Sequence, residues 1–347
     1  MIVTPDFFLL LAMISFSASF ISLPLIRFLA LKFDIVDKPD KDLKKHKVPI
    51  PYLGGVAIFI PVLITFLFYF IKMGGFENEW RGLFFSSLII IITGVVDDLK
   101  KIKWYVKLFG QMVSAIILIS FGMHLKIMFY PAWLNILITF FWIIMVTNAI
   151  NIIDIMDGLA ASISIIAFIA FLTIGFPQDN LFVIVISVVF ISATLPFFFW
   201  NFPPAKIFLG DTGALLLGFI LAVISIEVSY TNVNTIALLA PAIILGIPLF
   251  DLCLVTAIRF LKRIPIVKGS PDHLALRLRR LGMHDTKILL LIDWFAIFLA
   301  IAAVAITFSN DEIALALYFF IAFSALVFGF ELSKIDMKPG KDRDDSE

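Results

Sequence analysis

Runs of apolar residues long enough to cross a bilayer recur along the whole 347-residue chain, and nothing else in the sequence restricts the fold so strongly. A hydrocarbon core about 30 Å thick needs roughly 20 helical residues to span it. Backbone polar groups inside it must bond within their own segment, which favours helices. The spans fall at about 6–31, 54–72, 82–96, 105–121, 132–150, 159–175, 180–199, 212–229, 235–258, 287–308 and 313–332. The expected fold is an all-α integral membrane protein of about eleven transmembrane helices. It forms a single polytopic domain over 1–332, with a charged tail at 333–347. Composition agrees: 61% of residues are apolar and 15% charged, and the mean hydropathy of +1.07 lies far outside the globular range. The first apolar run is too long for a signal-peptide core and residues 1–6 carry no Lys or Arg, so no cleaved signal peptide is expected. The single cysteine, Cys253, allows no disulfide within the chain and reads as inert packing.

Charge orients this bundle. If the connecting loops alternate sides, 24 of the 27 Lys and Arg fall together with the C-terminus, leaving Lys72, Arg81 and Lys126 opposite. The basic side is expected to be cytoplasmic, with the N-terminus outside and the C-terminus inside, which requires an odd number of spans. Asp97, Asp98, Asp154, Asp157, Asp211 and His273 fall on the same side, so the chemistry is expected at the cytoplasmic face.

Asp211 is the centre of that chemistry. It stands in Gly210-Asp211-Thr212-Gly213 between long apolar runs, where a bare carboxylate is costly without a cation or hydrogen-bond donors. One reading is a loop residue whose neighbour Thr212 caps the next helix; the other is a metal anchor, favoured by the further aspartates in similar apolar-bounded loops. Asp97 and Asp98 are adjacent at the end of the third span and repel unless a cation intervenes. They read either as a solvated helix end balanced by Lys100 and Lys101, or as oxygen ligands of the kind magnesium prefers. Asn148, Asn151, Asp154 and Asp157, spaced by three, form a polar stripe if the helix continues. Such a stripe lines a wet cavity or supplies interhelical hydrogen bonds.

Asn201 offers a carbonyl oxygen to a metal or a phosphate-bound water, and Phe208 either packs or stacks on a base. The cluster Lys44, Lys45, His46 and Lys47 precedes Gly54-Gly55. It attracts lipid headgroups or forms a lid that recruits phosphate, while the glycines allow close approach. Around His273, the leucines and Arg277, Arg279 and Arg280 suggest an amphipathic helix at the membrane surface, holding phosphates or headgroups. Asp251 reads as an intramembrane hydrogen-bonding or site residue.

The ordered set DKP…H…PIPYLGG, GVVDDLKK, NAINIIDIMDGLA, NFPPAKIFLGDTG, LGIPLFD and PDHLALRL, over about residues 36–282, resembles the polyprenyl-phosphate N-acetylhexosamine-1-phosphate transferases. LGIPLFD and the helix number look more like the branch making undecaprenyl-pyrophosphoryl-GlcNAc than the muramoyl-pentapeptide branch. The resemblance implies transfer of a sugar phosphate from a UDP-N-acetylhexosamine to undecaprenyl phosphate, releasing UMP. It implies Mg2+, with Mn2+ as a substitute, membrane lipid as surroundings, a homodimer, and no nucleic-acid partner. It implies Asp211 as metal ligand with Asn201 beside it, and Asp97 and Asp98 handling the lipid phosphate. Asn151, Asp154 and Asp157 fall on the nucleotide side, Phe208 beside the uracil, and Lys107 matches a site lysine. His273 matches the first histidine of a His-rich loop motif; His46 and Arg277 join the expected substrate contacts from their places in the basic loops. Ala275 and Leu276 stand where relatives carry further histidines, Ala214 where they carry serine, and Tyr52 where many carry arginine. A solute transporter would place its acids near the membrane midplane within paired repeats, which this chain lacks.

Overall fold

A computed structural model describes residues 5–37, 49–75, 77–228, 230, 236–263, 272–335 and 337. The helices are α1 (Pro5–Lys32), α2 (Gly54–Met73), α3 (Asn78–Lys100), α4 (Trp104–Ser120), α5 (Ala132–Ile153), α6 (Leu159–Gly175) and α7 (Leu181–Asn201), followed by α8 (Gly210–Glu227), α9 (Ala240–Ile244), α10 (Gly246–Lys262), α11 (Leu274–Arg280), α12 (Asp285–Phe308) and α13 (Asp311–Ser333). Two short strands, β1 (Val36–Asp37) and β2 (Ile50–Pro51), pair antiparallel between α1 and α2. Among the described residues nine helices are long and apolar enough to cross a membrane, or ten if α9 and α10 with the 3-10 turn before them form one broken span. With 17 residues, α4 is apolar but shorter. The protein is a helical multi-pass membrane protein.

Each expected span coincides with a helix except the ninth. The run 235–258 breaks at Leu245 and its halves meet at 79°. Pro241, Gly246 and Pro248 explain the break, because proline removes an N–H from the helical ladder and glycine weakens it. In contrast, α3 runs past the expected 82–96 at both ends, since its polar ends are helical too.

α8 sits at the centre, packed by α2, α3, α5, α6 and α7 and buried nearly all round. Glycines let the neighbours approach its first turn backbone to backbone. A Cβ on Gly55 of α2 would lie 2.1 Å from the Gly213 nitrogen, and one on Gly94 of α3 would lie 2.4 Å from the Thr212 Cα. This is the small-residue contact typical of membrane helices, and it realises the close approach expected at Gly54-Gly55. Serines stitch α1 to α7: Ser15 Oγ donates to the Val189 carbonyl at 2.9 Å and Ser19 Oγ to Ala193 at 2.7 Å. Outward faces carry bare apolar side chains, among them Phe20, Phe28, Phe319 and Phe323. Cys253 also faces outward, exposed instead of packed.

Candidate functional site

The first turn of α8 is held in place from another helix. Gly210 adopts φ +71°, and a Cβ there would strike the Asp98 carboxylate at 2.7 Å. That carboxylate accepts from the Asp211 N–H at 2.7 Å, the Thr212 N–H at 3.1 Å and the Thr212 hydroxyl at 2.6 Å. Free N–H groups at a helix start need acceptors, and negative charge there is favoured by the helix dipole. Asp98 of α3 therefore caps α8 in trans, while Thr212, considered from sequence as a cap, donates to it instead.

With its backbone pinned, Asp211 turns its side chain towards α4 and α5. Its Oδ1 accepts from the Asn151 amide at 2.7 Å and from the Lys107 ammonium. Lys107 also contacts Asp97 Oδ2 at 3.1 Å, and Asp97 Oδ1 accepts from the Ile102 N–H at 2.9 Å, securing the end of α3. Lys107 is positioned through α4, on which Gln111 exchanges hydrogen bonds with Asn148 of α5 at 2.7 and 3.3 Å. Two carboxylates from distant parts of the chain thus converge on one positive charge.

The expected polar stripe on α5 divides. Asn148 and Asn151 are helical, but the helix ends at Ile153, and Asp154 takes a non-helical ψ of 50°. The chain then turns through Asp157 to Gly158 at φ +80°. Asp154 and Asp157 still reach the same cavity, from a turn and not a helix face. Asp157 Oδ2 accepts from the Ala205 N–H at 2.9 Å, tying this turn to the segment before α8. Asn201 braces the same junction: its Oδ1 accepts from the Gly158 N–H and its amide donates to the Ile207 carbonyl, both at 2.8 Å. Both ends of that amide are engaged by backbone, and Asn201 also lines that cavity. Phe208 stands by Tyr52, ring centroids 6.1 Å apart, and its N–H donates to the Pro51 carbonyl at 2.9 Å.

These parts enclose a cavity of about 500 Å3. Asp37, Asp97, Asp98, Asp154, Asp157, Asp211 and Asp285 line it, against Lys101 and Arg279. Burial, and then the charges of Asp211, Asp98 and Asp157, push the Asp154 carboxyl well above its ordinary value, with Lys107 opposing. Among the described residues no three acids, histidines or cysteines stand close enough to form a ready-made metal cage. Magnesium does not require one, since it is commonly held by one or two carboxylates with water and substrate phosphates. The crowded acids around Asp211 fit that mode, with Asp211 as the carboxylate that would hold it.

Other expected contacts lie elsewhere. Arg277 is fully buried outside the cavity, bonded to the Asp272 carbonyl and carboxylate and to the Leu332 and Ile335 carbonyls at the end of α13. It staples helices together and does not line the cavity, and the surface-helix reading of α11 is corrected: its Leu274, Ala275, Arg277 and Leu278 are buried. Nor does His273 line the cavity; its Nδ1 lies 2.8 Å from Asp251 Oδ2, and Asp251 Oδ1 accepts from the Leu274 N–H at 2.6 Å. Asp251 is thus a buried hydrogen-bonding residue, one of the two expected roles. His46 lies outside the described residues. Asp37, Tyr52, Lys101 and Asp285 line the cavity without having been expected there as site residues. The one sequence signal for Asp285 is its place at the head of an apolar span.

Fold and cavity together define a polytopic membrane protein whose polar groups gather at one end of a helical bundle. Residues 80–229 match the model of Glycosyl transferase family 4. The chain is 32% identical over 315 residues to a probable undecaprenyl-phosphate N-acetylglucosaminyl 1-phosphate transferase of Bacillus subtilis, covering 88% of this chain and 85% of that protein. It is 29% identical over 328 residues to a decaprenyl-phosphate N-acetylglucosaminephosphotransferase of Mycobacterium leprae, covering 83% and 81%. With a phospho-N-acetylmuramoyl-pentapeptide-transferase of Streptococcus mutans it shares 32% identity over 243 residues, 61% of this chain and 70% of that one. The chain belongs to the polyprenyl-phosphate N-acetylhexosamine-1-phosphate transferases of glycosyl transferase family 4, and is an enzyme.

Proposed function

We propose that this enzyme transfers N-acetylglucosamine-1-phosphate from its UDP-sugar to undecaprenyl phosphate, releasing UMP and starting a cell-envelope glycan at the cytoplasmic face of the bacterial inner membrane. The carrying observation is that Asp211, Asp97 and Asn151 line one acid-walled cavity at a helix-bundle end, with Lys107 bonded behind them to both carboxylates. The longer match to the N-acetylglucosaminyl relative, 88% of the chain against 61% for the muramoyl relative, favours the first sugar.

Phosphoryl transfer asks a protein chiefly for positioning and charge neutralisation. An oxygen of the lipid phosphate attacks the phosphorus that bears the sugar. The bond from that phosphorus to the bridging oxygen breaks, and UMP leaves with the bridging oxygen. Asp97 orients the attacking phosphate and takes its residual proton; such a phosphate, with a second pKa of about 6, is largely ionised at neutral pH. Lys107 steadies phosphate oxygens beside Asp211, and Asn151 holds the Asp211 carboxylate in its rotamer. Asp154 and Asp157 shape the nucleotide end, with Phe208 beside the base. Magnesium, which Asp211 would hold, would supply positive charge to the diphosphate and the departing UMP.

The test is purified protein with undecaprenyl phosphate, Mg2+ and a panel of UDP-sugars, scoring UMP. Release with UDP-N-acetylglucosamine is expected. Silence with every N-acetylhexosamine donor would sink the reading.

A further inference from the structure

The segment from residue 272 onward reaches the cavity without the contacts expected of it. Ala275 is buried, and His273 and Arg277 are engaged by Asp251 and Asp272, outside the lining. Among the described residues, the stretch from 272 onward contributes only Arg279 and Asp285 to the lining. Their geometry is specific. The Arg279 Nε–H donates to Asp285 Oδ1 at 2.7 Å, both side chains about a quarter exposed (26% and 29%). No described residue bonds the two terminal nitrogens of that guanidinium. An arginine held through Nε alone keeps its outer amino groups for a second partner, and their planar fork matches the oxygens of a phosphate.

The element carrying Arg279 is rigid. Asp251 of α10 anchors the start of α11 through the Leu274 N–H and His273. Two residues before Arg279, Arg277 ties the helix to Asp272 and to the end of α13. In a cavity walled by seven aspartates, a preset guanidinium facing inward serves a ligand that brings its own negative charge.

We propose that Arg279 is a substrate-phosphate contact of this enzyme, with Asp285 as the positioning residue that aims it. The inference rests on the transferase reading above and deepens it. The bound phosphate belongs to the nucleotide sugar or to the lipid, and the Michaelis constants of the two substrates tell them apart.

The experiment uses the full-length protein in lipid nanodiscs, with wild type, Arg279→Gln, Arg279→Lys and Asp285→Asn. UMP release is measured against each substrate in turn and melting temperature is recorded. Arg279→Gln is expected to raise one KM about tenfold or more, as loss of a charged hydrogen bond does, with kcat and the other KM unchanged. Arg279→Lys recovers part of that loss, because charge without the fork remains. Asp285→Asn keeps the cation but loosens its aim and raises the same KM by a smaller factor, a split that a merely structural pair does not produce. A rise in the donor KM assigns the phosphate to the nucleotide sugar; a rise in the lipid KM assigns it to the lipid. Both support the contact. Unchanged KM values in folded Arg279→Gln overturn it, as does failure of all three variants to fold, which makes the pair structural. A wild type that releases no UMP overturns the transferase reading and this inference with it; a working wild type with an indifferent Arg279 overturns the inference alone.

Discussion

Adjacent residues of one type do different work here, and Asp97 and Asp98 show it. Asp98 spends its carboxylate on three donors at the head of α8, whereas Asp97 faces Lys107. Substitution therefore separates them from Asp211. Asp98→Ala strips a helix cap and leaves buried donors unpaired. It is expected to cost about 1–3 kcal/mol, read as a lowered melting temperature, and to lose activity because Asp211 is no longer held. Asp211→Asn keeps an oxygen for Lys107 and Asn151. It is expected to melt near wild type while UMP release falls about a hundredfold to a thousandfold, the scale for losing one preorganised charge-stabilising group. Equal loss of stability in both variants would contradict this division. Asp154 gives a pH signature. Its folded carboxyl is raised above the ordinary 3.8, so its contribution to stability is complete below that value and is lost as pH rises through the raised one. Metal-free protein is expected to lose melting temperature across that window; Mg2+ should reduce the loss, and Asp154→Asn should flatten the slope. Which of these aspartates meet was legible only in part. Their apolar surroundings marked them as costly, but whether a carboxylate caps, pairs or lines a cavity depends on partners as far as 114 positions away. Arg277 and Arg279 show the same limit, since two residues of spacing puts one in the core and the other on the cavity wall.

At the scale of elements, hydrophobic run length foretold where helices lie and failed where backbone chemistry interrupts them. The ninth run is apolar on both sides of Leu245, so its break there was visible only in Pro241, Gly246 and Pro248. The α5 stripe was visible as spacing, but not its division at Asp154, where the turn to Gly158 ends the helix. Gly54-Gly55 was legible as a close-approach signal and Gly94 was not, because its partner on α8 is the backbone of Thr212. The glycine contacts yield an element-scale prediction. In Gly55→Ala or Gly94→Ala a methyl meets backbone of α8 that no rotamer change can clear, so the helices must separate. Overpacking of this kind costs roughly 1–3 kcal/mol. Both variants are expected to melt lower and to lose activity beyond the fraction unfolded, because the cap from Asp98 and the side chain of Asp211 ride on that turn. Wild-type turnover in either variant would show the close packing to be dispensable for the site.

For the whole molecule, the cavity constrains the topology. The ends of α3, α5 and α7 and the starts of α4 and α8 all supply or brace the site, so α4 must leave that face and α5 return to it, although α4 is only about 25 Å long. Asn180 at the start of α7 donates to the Glu227 carbonyl at the end of α8, so both lie at the far face. The chain must then come back to present Asp285 to the cavity, and the bent α9–α10 pair is the segment available for the return. We propose on that basis eleven crossings, with the termini on opposite sides and the cavity on the basic, cytoplasmic face. The two ends of α3 test it. In a Cys253→Ser background, needed because that thiol is exposed, cysteines are placed one at a time at Glu77 and Lys100, exposed positions bracketing the helix. A membrane-impermeant maleimide added to intact cells is expected to label Glu77→Cys, and to label Lys100→Cys only after permeabilisation. The reverse pattern would place the cavity outside, where a cytoplasmic nucleotide sugar cannot reach it, and would end the proposed reaction whatever the geometry of Asp211.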